Sequence, residues 1–431
     1  MLAQYADRRG RVLESLTDGC LVLGAAPTAI RNNDIEHEYR QDSDFQYLTG
    51  FDEPEALLVL RPTAPRFVLF VRPKDPEREV WDGYRAGVDG AQQAFGADAA
   101  YPIAELAERL PDLLENHSKL FTRIGREPRL DAQIFAALAV LRKRVKQRKW
   151  WPTEVHDSAK LLHPMRLLKS DEELALMRRA AKISAEAHLA AMAFTKPGAH
   201  EYEVEALLRS MFRKAGAQRL AYECIVGSGP NATVLHYRQN DRKMQAGELL
   251  LIDAGCEFDF YASDITRTFP VNGSFSKPQR ELYEVVLAAQ EASIAAAVPG
   301  ATLDALHDIS VRVLTQGLVD LSLVKGPVDE AIEEGRYKKY YMHRTSHYLG
   351  MDVHDVGDYY QRGEPCPLRE RQVITVEPGL YVAANDTETP ERYRGIGIRI
   401  EDDVAITAAA PEVLSAGVPK SVDDVQRACL A

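Results

Sequence analysis

The sequence predicts an α+β protein in two parts, a smaller α/β domain followed by a larger domain of long helices and a largely antiparallel sheet. Its 431 residues exceed what one hydrophobic core usually serves, which favours at least two domains. Short apolar runs alternate with helical stretches in the first part. Capped amphipathic helices and strands that carry acidic residues fill the second part. We place the division between residues 165 and 166, which gives domains 1–165 and 166–431.

The first domain is predicted from its alternation of strands and helices. Short runs of apolar and β-branched residues are typical of strands, and longer periodic segments are typical of helices. Strands are expected at Leu21–Leu23, Leu57–Leu60 and Phe67–Val71, and helices at Ala104–Leu114 and Ala132–Val145. A Trp-Trp-Pro segment at Trp150–Pro152 interrupts this pattern before the second domain begins.

The second domain is expected to begin with a helix that carries a capping box. Ser170 and Glu173 have the S-x-x-E spacing in which each side chain bonds the other residue's backbone N–H. Apolar residues then recur at helical spacing until a Pro-Gly pair, so this helix should end near Lys196. Further helices are expected at Glu203–Ala215, Glu281–Ala297 and Leu303–Leu318.

The charge balance argues against a nucleic-acid partner. The formal net charge is -11, whereas proteins that bind a phosphate backbone need clustered positive charge. One basic stretch, Arg142–Lys149, is interpreted as a solvated helix face or linker. The content of 45% hydrophobic and 27% charged residues is ordinary for a globular protein.

No segment predicts export or insertion into a membrane. The first residues, MLAQYADRRGRV, have no apolar stretch behind their charges, and no apolar run approaches the ~20 residues that span a bilayer. The five cysteines are scattered and form no CxxC pair. This pattern favours a reducing cytoplasm and argues against a thiolate metal site, so we expect a cytoplasmic protein.

Two acidic residues lie on consecutive predicted strands. In ELLLIDAGCEFDFYASDITRTFPV an apolar run ends at Asp253, and a second strand is expected over Phe260–Phe269. If the turn centres on Phe258 and Asp259, Asp253 faces Asp264 across the hairpin. Either acid alone could equally be a solvated strand residue. As a pair they repel each other unless a cation lies between them, and the pair therefore predicts a cation site.

Two further strands carry acids. In GIGIRIE the isoleucines occupy one face of a strand, and Arg399 and Glu401 share the other. Gly395 and Gly397 argue against a solvated face, because glycine in a strand often marks the close approach of a ligand or another backbone. The run VITVE ends at Glu377, and a carboxylate at the end of a buried strand needs a partner.

Histidines cluster in MHRTSHYLGMDVHDV, which contains His343, His347 and His354, and His236 lies just upstream of the first acidic strand. A lone histidine is more often structural than a ligand, but three within a dozen residues favour a site. Four carboxylates and one imidazole form an oxygen-rich set that suits manganese and also accepts cobalt or zinc. Four acids are too many for one divalent ion, whereas two ions can share them.

Together these segments resemble one known family. In order and local context, the ligands of the pita-bread metallopeptidases match Asp253, Asp264, His347, Glu377 and Glu401. That family includes aminopeptidase P, prolidase and methionine aminopeptidase. The segments IDAGCEFDFYASDITRTFPV, TVEPGLY and GIGIRIEDD carry the resemblance, which extends from about MRLLKSDEE onward. In the first domain YRQDSDFQYLTGFDEPEALLVL and WDGYR look like aminopeptidase P, so the resemblance favours that branch.

The resemblance implies a dinuclear aminopeptidase that hydrolyses the N-terminal Xaa-Pro bond of peptides. Asp253 would bind one metal, and Asp264 and Glu401 would bridge both. His347 and Glu377 would complete the shell of the second metal. The two divalent ions, expected to be manganese with zinc or cobalt as alternatives, would share a hydroxide nucleophile, and Glu377 would transfer its proton.

The resemblance also implies roles around the metals. His354 and His236 would stabilise the oxyanion and hold substrate carbonyl groups. Arg344 stands where bacterial aminopeptidase P enzymes carry a glycine, so the shape of the proline pocket is expected to differ. The walls of the proline pocket would be His343, His354, Tyr381 and Arg399, with Tyr222 and Trp81 at its rim.

Trp81 is interpreted equally well as a packed aromatic residue of the first domain. In the family that domain helps to form the oligomer and restricts access to the site. We therefore expect a homodimer or homotetramer that acts on proline-containing peptides.

Three alternatives share the fold. Prolidase has all five ligands but cuts only dipeptides that end in proline. Creatine amidinohydrolases lack the metal ligands, which are all present here. Non-catalytic pita-bread proteins usually lose ligands, so the intact set and the acidic net charge argue against that alternative.

Overall fold

The computed structural model describes residues 2–430. The chain divides after Met165 into two compact units, Met1–Met165 and Arg166–Ala431. Across residues 2–430, no helix combines the length and apolar character that crossing a bilayer requires.

The first unit is an α/β unit built on one mixed sheet. Its helices are α1 (Leu2–Ser15), α2 (Ser43–Thr49), α3 (Pro76–Asp82), α4 (Gly87–Gln93), α5 (Leu106–Leu114), α6 (Pro128–Arg142) and α7 (Ala159–Leu167), the last of which includes the division point. Its strands are β1 (Gly19–Gly24), β2 (Ile30–Asn32), β3 (Ile35–Glu36), β4 (Leu57–Leu60), β5 (Phe67–Val71), β6 (Ala99–Pro102), β7 (Lys119–Thr122) and β8 (Glu154–Asp157). Short 3₁₀ turns lie at Ile103–Glu105 and Val145–Gln147.

Six of these strands form the sheet, in the order β6-β5-β4-β1-β7-β8. Strands β4 and β5 are buried along their whole length, as their continuous apolar sequences require. Helices α5 and α6 contribute apolar side chains to the same core as β1, β4 and β5. The strands predicted at Leu57–Leu60 and Phe67–Val71 are confirmed at those bounds. The helix expected from Ala104 begins two residues later, because a 3₁₀ turn precedes it.

The second unit is an α+β unit. Its helices are α8 (Asp171–Phe194), α9 (Glu201–Lys214), α10 (Lys277–Ala295), α11 (Leu303–Asp320), α12 (Val328–Glu333) and α13 (Val422–Leu430). Its first strands are β9 (Arg219–Leu220), β10 (Ile225–Ser228), β11 (Leu249–Asp253), β12 (Cys256–Phe258), β13 (Tyr261–Ala262) and β14 (Thr266–Pro270). The later strands are β15 (Tyr360–Gln361), β16 (Glu364–Pro365), β17 (Val373–Val376), β18 (Gly379–Val382), β19 (Ile396–Arg399), β20 (Asp402–Ala405) and β21 (Glu412–Val413). Its 3₁₀ turns are Gly229–Thr233, Arg336–Lys339 and Glu391–Tyr393.

Every ladder in the described part of this unit is antiparallel, which confirms the predicted strand arrangement. Helices α8 and α9 share one apolar core with β10 and β11. Helices α10 and α11 share a second core with β18 and β19. The capping box at Ser170 and Glu173 is also confirmed, with both reciprocal hydrogen bonds present.

The predicted hairpin register is wrong, because the turn lies one residue further along the chain than expected. Strands β12 and β13 pair Phe258 with Tyr261, so the turn residues are Asp259 and Phe260, both with positive φ. A two-residue turn with positive φ at both positions matches the twist of antiparallel strands. Further along the hairpin, Asp253 therefore pairs with Thr266 rather than Asp264. The expected long second strand is also interrupted between β13 and β14.

A buried arginine that no sequence pattern predicted joins β14 to β20. The Arg267 side chain is 0% exposed and donates to Asp402 Oδ1 at 2.6 Å and to the Glu401 carbonyl oxygen at 2.6 Å. It also donates to the Thr266, Val418 and Pro419 carbonyl oxygens. Burial raises the pKa of Asp402, but Arg267 and Lys420 outweigh burial and hold that pKa well below its usual range.

Replacement of this arginine should destabilise the protein strongly. Arg267→Met leaves the buried Asp402 carboxylate short of its main cationic partner, so we expect a loss of roughly 3–5 kcal/mol in the free energy of unfolding. Urea unfolding followed by circular dichroism measures it. The matched control is Arg178→Met, which breaks a half-exposed pair with Glu412 and should cost about 0–1 kcal/mol. Equal effects of the two substitutions would contradict the structural role of Arg267.

Candidate metal centre

The candidate ligands lie where strand ends and loops of the second unit meet. Asp253 is the last residue of β11, and Glu401 lies between β19 and β20. Glu401 forms an isolated antiparallel bridge with Thr266 and receives its side-chain hydroxyl hydrogen bond at 2.7 Å. The loop that carries His347 runs beside β17, because the Thr375 N–H donates to the His347 carbonyl oxygen at 3.0 Å. Segments distant in sequence are thus joined by backbone hydrogen bonds at one place.

Asp253 and Asp264 converge on a tyrosine hydroxyl. The Tyr222 hydroxyl lies 2.5 Å from Asp253 Oδ1 and also contacts Asp264 Oδ1. One O–H can donate to only one of these oxygens at a time. Asp253 Oδ2 accepts from Arg399 Nη2 at 2.6 Å. The two carboxylates thus lie beside the same hydroxyl group, although the strands pair in a different register from the one expected.

Three of the predicted ligands form a tight group. Asp264, His347 and Glu401 each offer a ligand atom, and these atoms lie within 4.8 Å of one another. His347 Nε2 is 3.4 Å from Asp264 Oδ2 and 3.8 Å from Glu377 Oε1. Asp264 and Glu401 are 6% and 2% exposed, so this charge is largely withdrawn from water.

Burial and mutual repulsion dominate the titration of these acids. Burial raises the pKa of Glu401 well above its ordinary value, and Asp264, Glu377 and Asp253 raise it further. Burial raises the pKa of Glu377 to about 7, against the opposing effects of His347 and Arg399. The acid cluster is therefore short of positive charge.

Asp264 and His347 behave differently because they face each other. Burial raises the pKa of Asp264, but the hydrogen bond and charge of His347 outweigh burial and lower it. Burial lowers the pKa of His347, but Asp264 and Glu377 bring it to about 9. A protonated His347 thus neutralises part of the negative charge of the acid cluster, and Arg399 neutralises another part.

The donor set fits divalent metal ions. Carboxylate oxygens with one imidazole nitrogen are the ligands that manganese and zinc accept. Buried carboxylates whose pKa values are raised by one another are stabilised by a cation among them. The residues that would hold such ions are the five predicted ligands, Asp253, Asp264, His347, Glu377 and Glu401.

A cavity of about 440 Å³ lies over these residues. It is lined by Leu235, His236, Asp253, His343, Arg344, Ser346, His347, His354, Tyr359, Glu377 and Arg399. His236 and His354 are exposed to solvent in this cavity. The ring of His354 stands edge-on to His347, with ring centroids 4.5 Å apart.

One wall of the cavity is an ordered chain of hydrogen bonds. Burial lowers the pKa of His343 to about 3, so its ring is neutral at pH 7. Its Nδ1 bonds the Arg344 carbonyl oxygen at 2.8 Å and therefore carries the proton. Its Nε2 then accepts from the Tyr381 hydroxyl at 2.8 Å, and that hydroxyl accepts from Arg399 Nη1 at 3.0 Å. His343, Tyr381 and Arg399 thus form one rigid unit.

The structure places most of the predicted site residues together, with one in a separate unit. Trp81 lies on α3 of the first unit, where its side chain is 85% exposed and no helix residue is buried. It is not packed in that unit's core, so the interpretation as a packed aromatic is wrong. Tyr222, expected at the rim, lies with its hydroxyl against Asp253 and Asp264.

Sequence reasoning missed Asp403, Leu235 and Tyr359. Asp403 is 1% exposed, and both of its carboxylate oxygens accept from the Asp264 N–H, at 3.1 and 3.2 Å. Its place two residues after Glu401, in a buried strand, was an available signal. Leu235 and Tyr359 line the cavity, but nothing in their sequence context separates them from ordinary apolar residues.

Comparison with known families agrees with this geometry. Residues 175–408 match the model of metallopeptidase family M24, and residues 5–121 match that of the aminopeptidase P N-terminal domain. The fold and the buried ligand cluster define a metallopeptidase, and the chain belongs to metallopeptidase family M24. The predicted pita-bread fold and the resemblance to aminopeptidase P are confirmed.

Individual relatives are similar over the whole chain. The Xaa-Pro aminopeptidases of Haemophilus influenzae and Escherichia coli are each 43% identical, over 98% and 99% of this chain and 96% and 98% of theirs. An aminopeptidase structure from Pseudomonas aeruginosa is 48% identical with a TM-score of 0.97, covering 100% of this chain and 98% of that one. Zinc-substituted Escherichia coli aminopeptidase P in complex with product is 42% identical with a TM-score of 0.96, at the same coverage.

The metal-free protein should lose stability as pH rises through the range in which Glu377 titrates. The pKa of Glu377 is raised from 4.5 to about 7. A carboxyl group with a raised pKa stabilises the fold fully below pH 4.5, and this contribution is lost as pH rises to about 7. We expect the thermal midpoint of chelator-treated protein to fall over this interval, as measured by calorimetry.

Glu377→Gln should remove the Glu377 part of this fall, because glutamine does not titrate. The control Glu370→Gln changes an exposed glutamate nearby and should leave the curve unchanged. Added manganese should raise the midpoint most near neutral pH, where the acids are charged. Parallel curves for Glu377→Gln and the parent protein would refute this explanation.

Proposed function

We propose that this chain is a metal-dependent aminopeptidase that hydrolyses the N-terminal Xaa-Pro bond of peptides. The observation that carries the proposal is the buried cluster of Asp264, His347 and Glu401, whose His347 lines a cavity of about 440 Å³. Membership of metallopeptidase family M24 and whole-length similarity to Xaa-Pro aminopeptidases support it.

The proposed cofactor is a pair of divalent ions held by Asp253, Asp264, His347, Glu377 and Glu401. We propose manganese, with zinc or cobalt as alternatives, because oxygen-rich sets bind all three. When bound, a pair of such ions lowers the pKa of a shared water, so that hydroxide is available near neutral pH. Before the ions can be held, His347 must lose the proton that Asp264 and Glu377 favour on it.

Glu377 is the proposed proton carrier. Its carboxylate lies at the wall of the cavity, and burial raises its pKa to about 7 in the absence of metal. A carboxylate Oε of Glu377 would accept a proton from the attacking water and pass it to the proline nitrogen as the bond breaks.

His354 and His236 are the proposed partners of the substrate carbonyl oxygens. Both rings face the cavity and are exposed to it. Burial lowers the pKa of His354, and the neighbouring His347 lowers it further. A neutral imidazole can still donate one N–H to a carbonyl oxygen that gains negative charge during the reaction.

Selection of proline is proposed to depend on shape. The nitrogen of an Xaa-Pro bond carries no hydrogen, so a site cannot recognise it by accepting a hydrogen bond. The rigid unit of His343, Tyr381 and Arg399 offers a preformed wall for the ring. Trp81 has an exposed ring and stays a proposed substrate-binding residue.

We also propose roles for the two domains, a cellular location and an oligomeric state. Residues 1–165 would form an oligomerisation and access-controlling domain, and residues 166–431 the catalytic domain. The enzyme would be a cytoplasmic homodimer or homotetramer that acts on proline-containing peptides and needs neither nucleic acid nor membrane. Prolidase activity, restricted to dipeptides, is the alternative that the same ligand set allows.

Hydrolysis of Ala-Pro-Ala and Ala-Pro by the manganese-loaded enzyme tests the proposal. We expect tripeptide cleavage that is lost on chelation and restored by manganese. Glu377→Gln should lower kcat by at least ~100-fold, because general acid–base catalysis usually contributes that much. Glu370→Gln, an exposed glutamate, should retain full activity. Cleavage of Ala-Pro alone would make the enzyme a prolidase, and absence of both activities with metal bound would indicate a non-catalytic protein.

A further inference from the structure

Side chains of both charges line the cavity. The acids Asp253 and Glu377 are among them, and the neighbouring acids Asp264 and Glu401 are buried. Two arginines also line it. Arg399 is 3% exposed and already donates to Asp253, whereas the Arg344 side chain is 56% exposed. Of these two arginines, Arg344 is therefore the one that a ligand can reach.

The guanidinium of Arg344 is oriented by a hydrogen bond, but not all of its N–H donors are used. Its Nη2 donates to Asp304 Oδ1, an oxygen that also accepts from the Tyr360 hydroxyl at 3.0 Å. Asp304 lies in the first turn of α11, which holds its position. Within residues 2–430, Nε and Nη1 of Arg344 donate no hydrogen bond. Each of these nitrogens keeps an N–H that can donate a charge-assisted hydrogen bond to a carboxylate oxygen.

The position of Arg344 relative to the proline wall follows from its backbone. Its carbonyl oxygen accepts from Nδ1 of the neighbouring His343, which is itself bonded to Tyr381. Arg344 is therefore anchored to the unit proposed to hold the proline ring, and its side chain is 56% exposed. The peptide residue that follows the proline is only about 3.3–3.6 Å further along the chain, so it would lie close to a side chain next to that unit.

We propose that Arg344 binds a carboxylate carried by the substrate residue that follows the proline. This inference rests on the proposed Xaa-Pro aminopeptidase activity. The carboxylate belongs either to the free C-terminus of a tripeptide or to an acidic side chain at that position. A carboxylate at that position has the opposite charge to the exposed guanidinium of Arg344, so the two groups are complementary.

Three peptides compared with the manganese-loaded full chain test the inference. Ala-Pro-Ala carries a terminal carboxylate, Ala-Pro-Asp amide carries a side-chain carboxylate, and Ala-Pro-Ala amide carries neither. We expect kcat/KM for at least one carboxylate peptide to exceed that for the neutral amide by roughly 3- to 10-fold, mainly through a lower KM. Whichever carboxylate peptide shows this preference identifies the source of the carboxylate.

Arg344→Gln should bring the ratio of kcat/KM for the preferred peptide to kcat/KM for the neutral amide to about one, because kcat/KM for the carboxylate peptide falls further than kcat/KM for the neutral amide. Arg344→Lys should retain part of the ratio, because it keeps the charge without the planar geometry. The matched control is Arg312→Gln, which removes an exposed arginine paired with Asp329 and should keep the wild-type ratio.

Two other results would overturn the inference in distinguishable ways. An unchanged ratio in Arg344→Gln, or no carboxylate preference in the wild type, would refute the role of Arg344 while leaving the aminopeptidase activity in place. If the wild-type enzyme cleaves none of the three peptides, the proposed function itself fails and the inference fails with it.

Discussion

The second unit is organised around the burial of like charges. Four carboxylates, Asp253, Asp264, Glu377 and Glu401, lie close together and largely out of water. Neighbouring buried carboxylates repel one another, and this repulsion together with burial raises the pKa values of three of the four. His347 and Arg399 supply some compensation. The need for more positive charge makes this place suited to divalent ions.

These carboxylates repel one another, so the surrounding structure must hold them in place. The buried Arg267 joins the Glu401 carbonyl oxygen to Asp402, and Asp403 fixes the backbone of Asp264 from the other side. The contact of Arg267 with Asp402 connects β14 to β20, and Asp264 and Glu401 lie just before these two strands. The packing of the two strands therefore also sets the positions of these two predicted ligands. Substitution of these supporting residues should therefore displace the candidate ligands, because a shift of about 1 Å is large for ligand geometry.

The sequence allowed much of the site to be predicted, because its signals are local. Acids that end apolar runs, such as Asp253 and Glu377, are visible in short segments. Gly397 was expected to mark a close approach, and a Cβ there would lie 2.0 Å from the Ala232 carbonyl oxygen. The hairpin register was not accessible, because the choice of Asp259 and Phe260 as turn residues depends on how β12 pairs with β9 and β13.

The sequence by itself determined which candidate ligand side chains are present, and it determined the helices that have local start and stop signals. It supplied the five candidate ligands, the capping box at Ser170 and the alternation that makes Arg399 and Glu401 neighbours on one strand face. Only the tertiary structure decided that Tyr222 joins two acids and that Asp304 orients Arg344. These contacts connect segments far apart in the chain. Side-chain spacing within one strand or helix is set by its own geometry, whereas contacts between distant segments depend on the packing of the whole unit.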